Sequence, residues 1–243
     1  MPTSQLPVRV REGRRAPLSI KGFLDTSFID WPGKLAAVVF LPGCNFRCPF
    51  CHNPELTGRA DHIPDVPLAE VLERLDELKG WVEGVVVSGG EPTLHRGLTE
   101  LLRAFRGSGL AVKLDSNGSR PEVLSALLAE GLLQAVDMDL KAPFDRVSYS
   151  RLAGVNVDPR DILASMDLIA GAGIPHRFRT TCVPGLLDRP AVADIASRVP
   201  PSSEYLVQAF DPRRVLDPSL STVRPPSDEE MAELCGAAER STG

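Results

Sequence analysis

Short β-branched or apolar runs alternate with longer stretches of helical period along most of this chain, and that alternation limits the fold more than any other feature. The apolar runs fall at 35–40, 84–87, 111–114, 135–140, 177–183 and 205–209. In the first stretch between them, Leu68, Val71, Leu72, Leu75 and Leu78 recur at the spacing of one helix face. Leu98, Leu101, Leu102 and Phe105 repeat the pattern. Pro121 suits the first turn of a helix carrying Val123, Leu124, Leu127 and Leu128. Asp158 and Pro159 read as cap and first residue ahead of Ile162, Met166 and Ile169. Asp188 caps a helix carrying Val192, Ile195 and Ala196. Ser227 and Glu230 form a capping box before Met231 and Leu234. Six strands alternating with six helices predict βα units and a mostly parallel α/β sheet. Six units are too few for a closed eight-fold barrel. An open, partial barrel and a doubly wound sheet both fit.

Parallel α/β proteins bind ligands at the carboxyl ends of the strands. The first strand runs directly into Gly43-Cys44-Asn45-Phe46-Arg47-Cys48-Pro49-Phe50-Cys51-His52-Asn53. A fully ligated [4Fe–4S] cube takes four thiolates. Cys44, Cys48 and Cys51 supply three, which leaves one iron open to a small molecule. The C-x₃-C-x₂-C spacing differs from the C-x₂-C-x₂-C run of bacterial ferredoxins and the paired C-x₂-C of zinc ribbons. A Cys₃His zinc site completed by His52 competes with this reading. Against it, Cys51 and His52 are adjacent and would struggle to reach one tetrahedral ion. Gly43, Asn45 and Pro49 mark a loop, which disfavours buried structural thiols. Cys182 and Cys235 read as buried thiols outside the ligand set.

With 243 residues, 43% of them hydrophobic, residues 18–243 suit a single domain with a sizeable core. Residues 1–17 carry Arg9, Arg11, Arg14 and Arg15 with no apolar segment after them, and read as a mobile basic tail. A net charge of −5 gives no general pull toward nucleic acid or anionic lipid. The longest apolar run, 35–41, falls far short of the ~20 residues of a membrane helix. Five cysteines, three of them clustered, are too few for a disulfide scaffold and point to a reducing, cytoplasmic setting. Pro212, Pro218, Pro225 and Pro226 predict an extended loop over 211–226, ahead of a C-terminal helix over 227–240.

The other strand ends are polar. Ser88-Gly89-Gly90-Glu91-Pro92 closes the second. Its glycines let backbone approach a ligand, and Glu91 offers a carboxylate to a cation such as an ammonium, although an ordinary βα turn would look similar. Asp115-Ser116-Asn117-Gly118 ends the third with oxygens suited to a sugar or cation, or with a plain capping turn. Asp137, Asp139 and Lys141 share one face of the fourth strand. Such charges on an apolar strand are costly unless paired or functional, and an Asp139–Lys141 ion pair is the structural reading. Arg177, Arg179 and Thr181 alternate on the fifth strand, and Gln208 lies near the end of the sixth. Each motif is weak alone, but successive strand ends surround one mouth.

Taken together, the cysteine run, the Gly-Gly-Glu-Pro turn and the Asp-x-Lys of the fourth strand resemble radical S-adenosylmethionine enzymes. More narrowly, Thr26-Ser27-Phe28-Ile29-Asp30-Trp31-Pro32-Gly33-Lys34 and Cys51-His52-Asn53 resemble activating proteins of the anaerobic ribonucleoside-triphosphate reductase, relatives of the pyruvate formate-lyase activating enzymes. The resemblance implies a partial (β/α)₆ barrel of the radical SAM type. It implies a [4Fe–4S] cluster on Cys44, Cys48 and Cys51, with S-adenosylmethionine chelating the open iron. Gly89, Gly90 and Glu91 would hold the methionyl ammonium. Ser116, Asp139 and Lys141 would contact the ribose and carboxylate, Phe50 and His52 would flank the adenine, and Gln208 would lie near the adenosine. Pyruvate formate-lyase activases carry a histidine at the position matched to Gln208. Asp115, Ser116 and Asp139 could form the monovalent-cation site of those activases. The implied activity is generation of a 5′-deoxyadenosyl radical that takes hydrogen from a glycine of a partner enzyme, with flavodoxin or ferredoxin as electron donor. The competing readings are activation of another glycyl radical enzyme, a radical enzyme acting on a small molecule such as a deazaguanine precursor, and a non-enzymatic iron–sulfur or zinc module.

Overall fold

The structure is a computed structural model and describes residues 18–239. The basic tail expected at 1–17 and the last residue of the expected C-terminal helix lie outside the described residues. The strands are β1 (Gly22–Ser27), β2 (Ala36–Leu41), β3 (Gly84–Gly89), β4 (Ala111–Ser116), β5 (Ala135–Asp139), β6 (His176–Cys182) and β7 (Glu204–Ala209). They form one seven-stranded sheet in the order β1-β2-β3-β4-β5-β6-β7. β1 pairs antiparallel with β2, and every later pair is parallel. The helices are α1 (Leu68–Glu77), α2 (Leu98–Gly107), α3 (Pro121–Ala129), α4 (Arg146–Ala153), α5 (Pro159–Gly171), α6 (Arg189–Arg198) and α7 (Asp228–Glu239).

Strand order decides between the two architectures left open by the sequence. A doubly wound sheet reverses its order at a switch point and carries helices on both faces. Here the order never reverses. Right-handed crossovers that always step the same way place their helices on one side. The other face is therefore turned inward, as in a partial, unclosed barrel with β1 and β7 as its edges.

The expected caps form. Asp158 accepts from Arg160 N, and Asp188 from Ala191 N. Ser227 N donates to Glu230 while Glu230 N donates back to Ser227 Oγ, closing the capping box. Two elements were not expected. β1 adds an antiparallel strand ahead of the first predicted one. α4 follows β5, and its cues were present: Asp145 accepts from Val147 N and Ser148 N, and Gly154 ends the helix at φ +67°. The hydrophobic stripe that would have drawn attention to α4 is short, with Tyr149, Leu152 and Ala153 as its buried residues. The stretch expected as an extended loop also contains a 3-10 turn, Pro218–Thr222, capped by Asp217.

Alternation sorts the strand residues into two environments. Val39, Leu41, Val85, Val87, Val112, Leu114, Val136 and Met138 face the helices and join Leu101, Phe105, Leu124 and Ile162 in the main core. On the inner face, Ala36, Val38, Val86 and Ala135 pack with Trp31 in a separate cluster. Trp31 comes from the turn between β1 and β2 and closes the floor of the barrel, while Phe28 and Ile29 of the same run stay exposed.

One step further along the strands the inner face is charged. Lys113, only 1% exposed, donates to the Asp30 carbonyl at 2.6 Å and to Asp137, and lies 3.2 Å from Asp115. Arg177 donates to Asp137 at 3.1 Å. Arg179 reaches Asp139 at 2.8 Å, Asp137 at 3.3 Å and Asp115 at 3.6 Å. Asp137 and Asp139 on β5 and Arg177 and Arg179 on β6 are residues the period of two had aligned, Lys113 and Asp115 join them from β4, and every one has a partner of opposite sign.

Candidate active site

Above the charged layer, at the carboxyl ends of β2 to β7, lies a cavity of about 300 Å³. Cys44, Cys48, Cys51, Phe50, His52, Gly89, Gly90, Ser116, Asp139, Lys141 and Gln208 all line it. The cysteine loop reaches this position because neighbouring segments clamp it. Gly43 N donates to Leu56 O at 2.7 Å, and Cys44 N to Thr57 O at 3.0 Å. Arg47 N donates to Ala153 O, the end of α4, at 2.7 Å. A Cβ on Gly154 would stand 2.1 Å from Arg47 O, so only glycine permits this approach. From the proline-rich segment, Asp217 N donates to Pro49 O at 2.9 Å. The β3 turn presses in as closely, since a Cβ on Gly90 would lie 2.1 Å from Gly43 O.

Burial pushes the Cys48 thiol up to about 12, with Lys141 opposing, and burial raises Cys44 and Cys51 as well. Loading metal on these groups therefore displaces protons. Burial alone would raise the Asp139 carboxyl, but Arg179 and Lys141 override it and hold the group well below the ordinary carboxylate range. Burial would likewise lower Lys141, and Asp139 with the cysteine loop reverses the sign. Asp139 and Lys141 are thus an ion pair, 3.0 Å apart, that also forms cavity wall. The Lys141 ammonium sits 6.0 Å from the centre of the Phe50 ring. Burial lowers the His52 pKa, with Asp211 opposing.

Glu91 departs from its expected role. It is 0% exposed and is absent from the cavity lining. One carboxylate oxygen accepts from Thr93 N at 3.1 Å, Thr93 Oγ1 and Ser116 Oγ at 3.0 Å. The other accepts from Asn117 N at 2.7 Å. Glu91 caps the 3-10 turn Pro92–Leu94 and ties the β3 turn to the β4 turn, which leaves Gly89 and Gly90 to face the cavity. Burial raises its pKa while these donors oppose the rise. Glu91→Gln places an N–H₂ where donors already point. It should lower stability by ~1.5–3 kcal/mol, the range for bonds to a charged group. Urea unfolding checks this; a variant of unchanged stability with weakened S-adenosylmethionine binding would restore direct contact.

The cavity includes residues outside the expected set: Asn53, Thr57, Ser88, Asn117, Arg179 and Thr181. Arg179 and Thr181 were visible in the alternation of β6, and Asn53 in the Cys-His-Asn sequence. Thr57 gave no signal, because its place depends on the path of the loop. Asp115 also lines the cavity, and its Oδ1 is the buried side-chain atom left without a hydrogen-bond partner among the described residues. It lies near Lys113 but outside hydrogen-bonding geometry. Such an acceptor suits a ligand hydroxyl or a monovalent cation. No group of three or more His, Cys, Asp or Glu side chains among the described residues is placed to hold a single metal ion. The three thiols that line one cavity suit a cluster, whose irons take one thiolate each.

Residues 38–196 match the family model described as the Radical SAM superfamily, and the chain belongs to that superfamily. It uses a [4Fe–4S] cluster and S-adenosylmethionine, as the family does. The chain is 34% identical over 220 residues to a Methanocaldococcus jannaschii protein provisionally named a glycyl-radical enzyme activating enzyme, covering 88% of this chain and 89% of that one. It is 29% identical over 170 residues to the pyruvate formate-lyase-activating enzyme of Streptococcus mutans, covering 66% and 64%. A 7-carboxy-7-deazaguanine synthase of Methanopyrus kandleri is 31% identical over a shorter span, 46% of this chain and 51% of that one. Among solved structures, Streptococcus suis SuiB bound to S-adenosylmethionine superposes with a TM-score of 0.60 at 16% identity, over 84% of this chain and 48% of the other. That likeness is one of fold. Among the described residues, no helix is long and apolar enough to cross a membrane.

Proposed function

We propose that this protein activates a glycyl radical enzyme, with Cys44, Cys48 and Cys51 as the cluster ligands. The similarity to the Methanocaldococcus jannaschii relative along nearly the whole of both chains carries this reading. When bound, the cluster and S-adenosylmethionine supply one-electron cleavage of the sulfonium and abstraction of a hydrogen atom. The chain's own residues bind and orient. Gly89 and Gly90 let backbone approach the methionyl group, while Lys141 and Asp139, of opposite charge, suit its carboxylate and the ribose hydroxyls. Phe50 and His52 offer ring faces to the adenine, and Gln208 a hydrogen-bonding edge. The unclosed barrel supports a substrate delivered as a loop of another protein.

For the partner we propose the anaerobic ribonucleoside-triphosphate reductase, with a flavodoxin or ferredoxin supplying electrons in a reducing cytoplasm. The Thr26–Lys34 run suggested that reductase, yet its Trp31 packs in the floor of the barrel, away from the mouth. The partner assignment therefore rests on the resemblance. With reductant and S-adenosylmethionine, the chain should install a glycine-centred radical on the reductase, seen as an EPR doublet. Deuterium at that glycine Cα should collapse the doublet and appear in 5′-deoxyadenosine. A radical on a pyruvate formate-lyase-type enzyme alone would reassign the partner. The shorter deazaguanine synthase match supports a second reading, and turnover of a small heterocycle with no protein radical would establish it.

A further inference from the structure

The amide of Asn117 is held in one orientation. Its Oδ1 accepts from Ser119 N at 2.9 Å, so its Nδ2 must point the other way. There Nδ2 donates to Asn45 Oδ1 at 3.0 Å. Asn45 is itself oriented, because its Nδ2 donates to Ser119 Oγ at 2.8 Å. The ring Asn117–Asn45–Ser119 is thus consistent in only one sense. The backbone of Asn117 is fixed too, since its N–H donates to the buried Glu91 carboxylate at 2.7 Å. With one Nδ2 hydrogen spent on Asn45, the other is left for Cys44 Sγ, 3.9 Å away. The same sulfur receives Phe46 N at 3.3 Å.

We propose that Asn117 sets the reduction potential of the cluster by donating an amide hydrogen to the Cys44 sulfur. The proposal rests on Cys44 being a cluster ligand. Reduction adds negative charge to the cluster and its sulfurs, so a donor at a ligand sulfur favours the reduced form, and hydrogen bonds to sulfur are among the factors that set cluster potentials. Asn117 is a positioning residue in this role. It acts through Cys44, and Glu91 holds it there.

The test is potentiometric EPR on reconstituted wild-type, Asn117→Ala, Asn117→Asp and Ser119→Ala proteins, with iron and sulfide measured on each. Asn117→Ala should keep its iron and make reduction about tenfold less favourable, a shift of about 59 mV to lower potential for one electron. Asn117→Asp keeps the size and the Oδ1 acceptor but removes the donor and adds negative charge, so its shift should be at least as large. Ser119→Ala loosens the Asn45 side of the ring without touching the N–H aimed at sulfur, and should leave the potential near wild type. Deuterium exchange should reveal an exchangeable hydrogen coupled to the reduced wild-type cluster by ENDOR, weakened in Asn117→Asp. An unchanged potential in both Asn117 variants at full iron content would overturn the proposal, as would an equal shift in Ser119→Ala. If Asn117→Ala fails to assemble a cluster, the Asp variant and the wild-type ENDOR signal decide. Full iron retained in a Cys44→Ala protein would instead remove the ligand assignment beneath the proposal.

Discussion

A Cys48→Ala protein should fold, and it should hold no [4Fe–4S] cluster. The side chain is small and the loop is anchored by backbone bonds to Leu56, Thr57 and Ala153, none of which the substitution removes. Circular dichroism should therefore match wild type. Anaerobic reconstitution should give about four irons per wild-type chain and no stable cluster in the variant, because the two remaining thiolates leave two of the cube's four irons without a protein ligand. Cleavage of S-adenosylmethionine should fall below detection. Cys44→Ala and Cys51→Ala should behave alike. Cys182→Ala and Cys235→Ala should keep iron and activity, since neither residue lines the cavity. Full iron and turnover in any of the three cluster-loop variants would refute its assignment. Stoichiometric zinc in active, anaerobically purified protein would refute the cluster reading.

The second large effect concerns stability. Lys113 is buried between Asp137, Asp115 and the Asp30 carbonyl. Lys113→Met keeps most of the volume but strips a cation from the buried Asp137 and the half-buried Asp115, and a donor from a carbonyl. Breaking a buried ion pair from one side costs ~3–5 kcal/mol. Denaturant unfolding should show a loss of that order, with the cavity residues unchanged in sequence. A loss under about 1 kcal/mol would mean that Arg177 and Arg179 satisfy the carboxylates alone. Acid sensitivity gives an independent readout. Burial would raise Asp137, but Arg177, Lys113 and Arg179 hold it below its ordinary value, and Asp139 is held lower still. Carboxylates depressed in the folded state contribute stability that is complete above the unfolded pKa, about 3.9, and is lost as pH falls toward the folded value. In Lys113→Met the Asp137 pKa should rise, so acid unfolding should begin at a higher pH than in wild type.

Much of this molecule was legible because it is written locally. Helix periodicity, the Asp158 and Asp188 caps, the Ser227–Glu230 box and the cysteine spacing each depend on residues a few positions apart. Side-chain alternation was enough to place Asp137, Asp139 and Lys141 on one face of one predicted strand, and Arg177 and Arg179 on one face of the next. Element order was enough to place the cysteines at a mouth lined by later strand ends. Tertiary structure alone decided the rest. It chose the barrel-like winding, since either architecture satisfies the same alternation. It turned Trp31 of the Thr26–Lys34 run into the floor, because this side chain finds its apolar partners on strands that follow it in the chain. It folded α4 and the proline-rich segment onto the cysteine loop through single backbone bonds that no local pattern announces. It also separated Glu91 from Gly89 and Gly90. All three stand in one four-residue motif, yet the carboxylate found its donors on Thr93, Ser116 and Asn117, and a buried charge goes where its donors are.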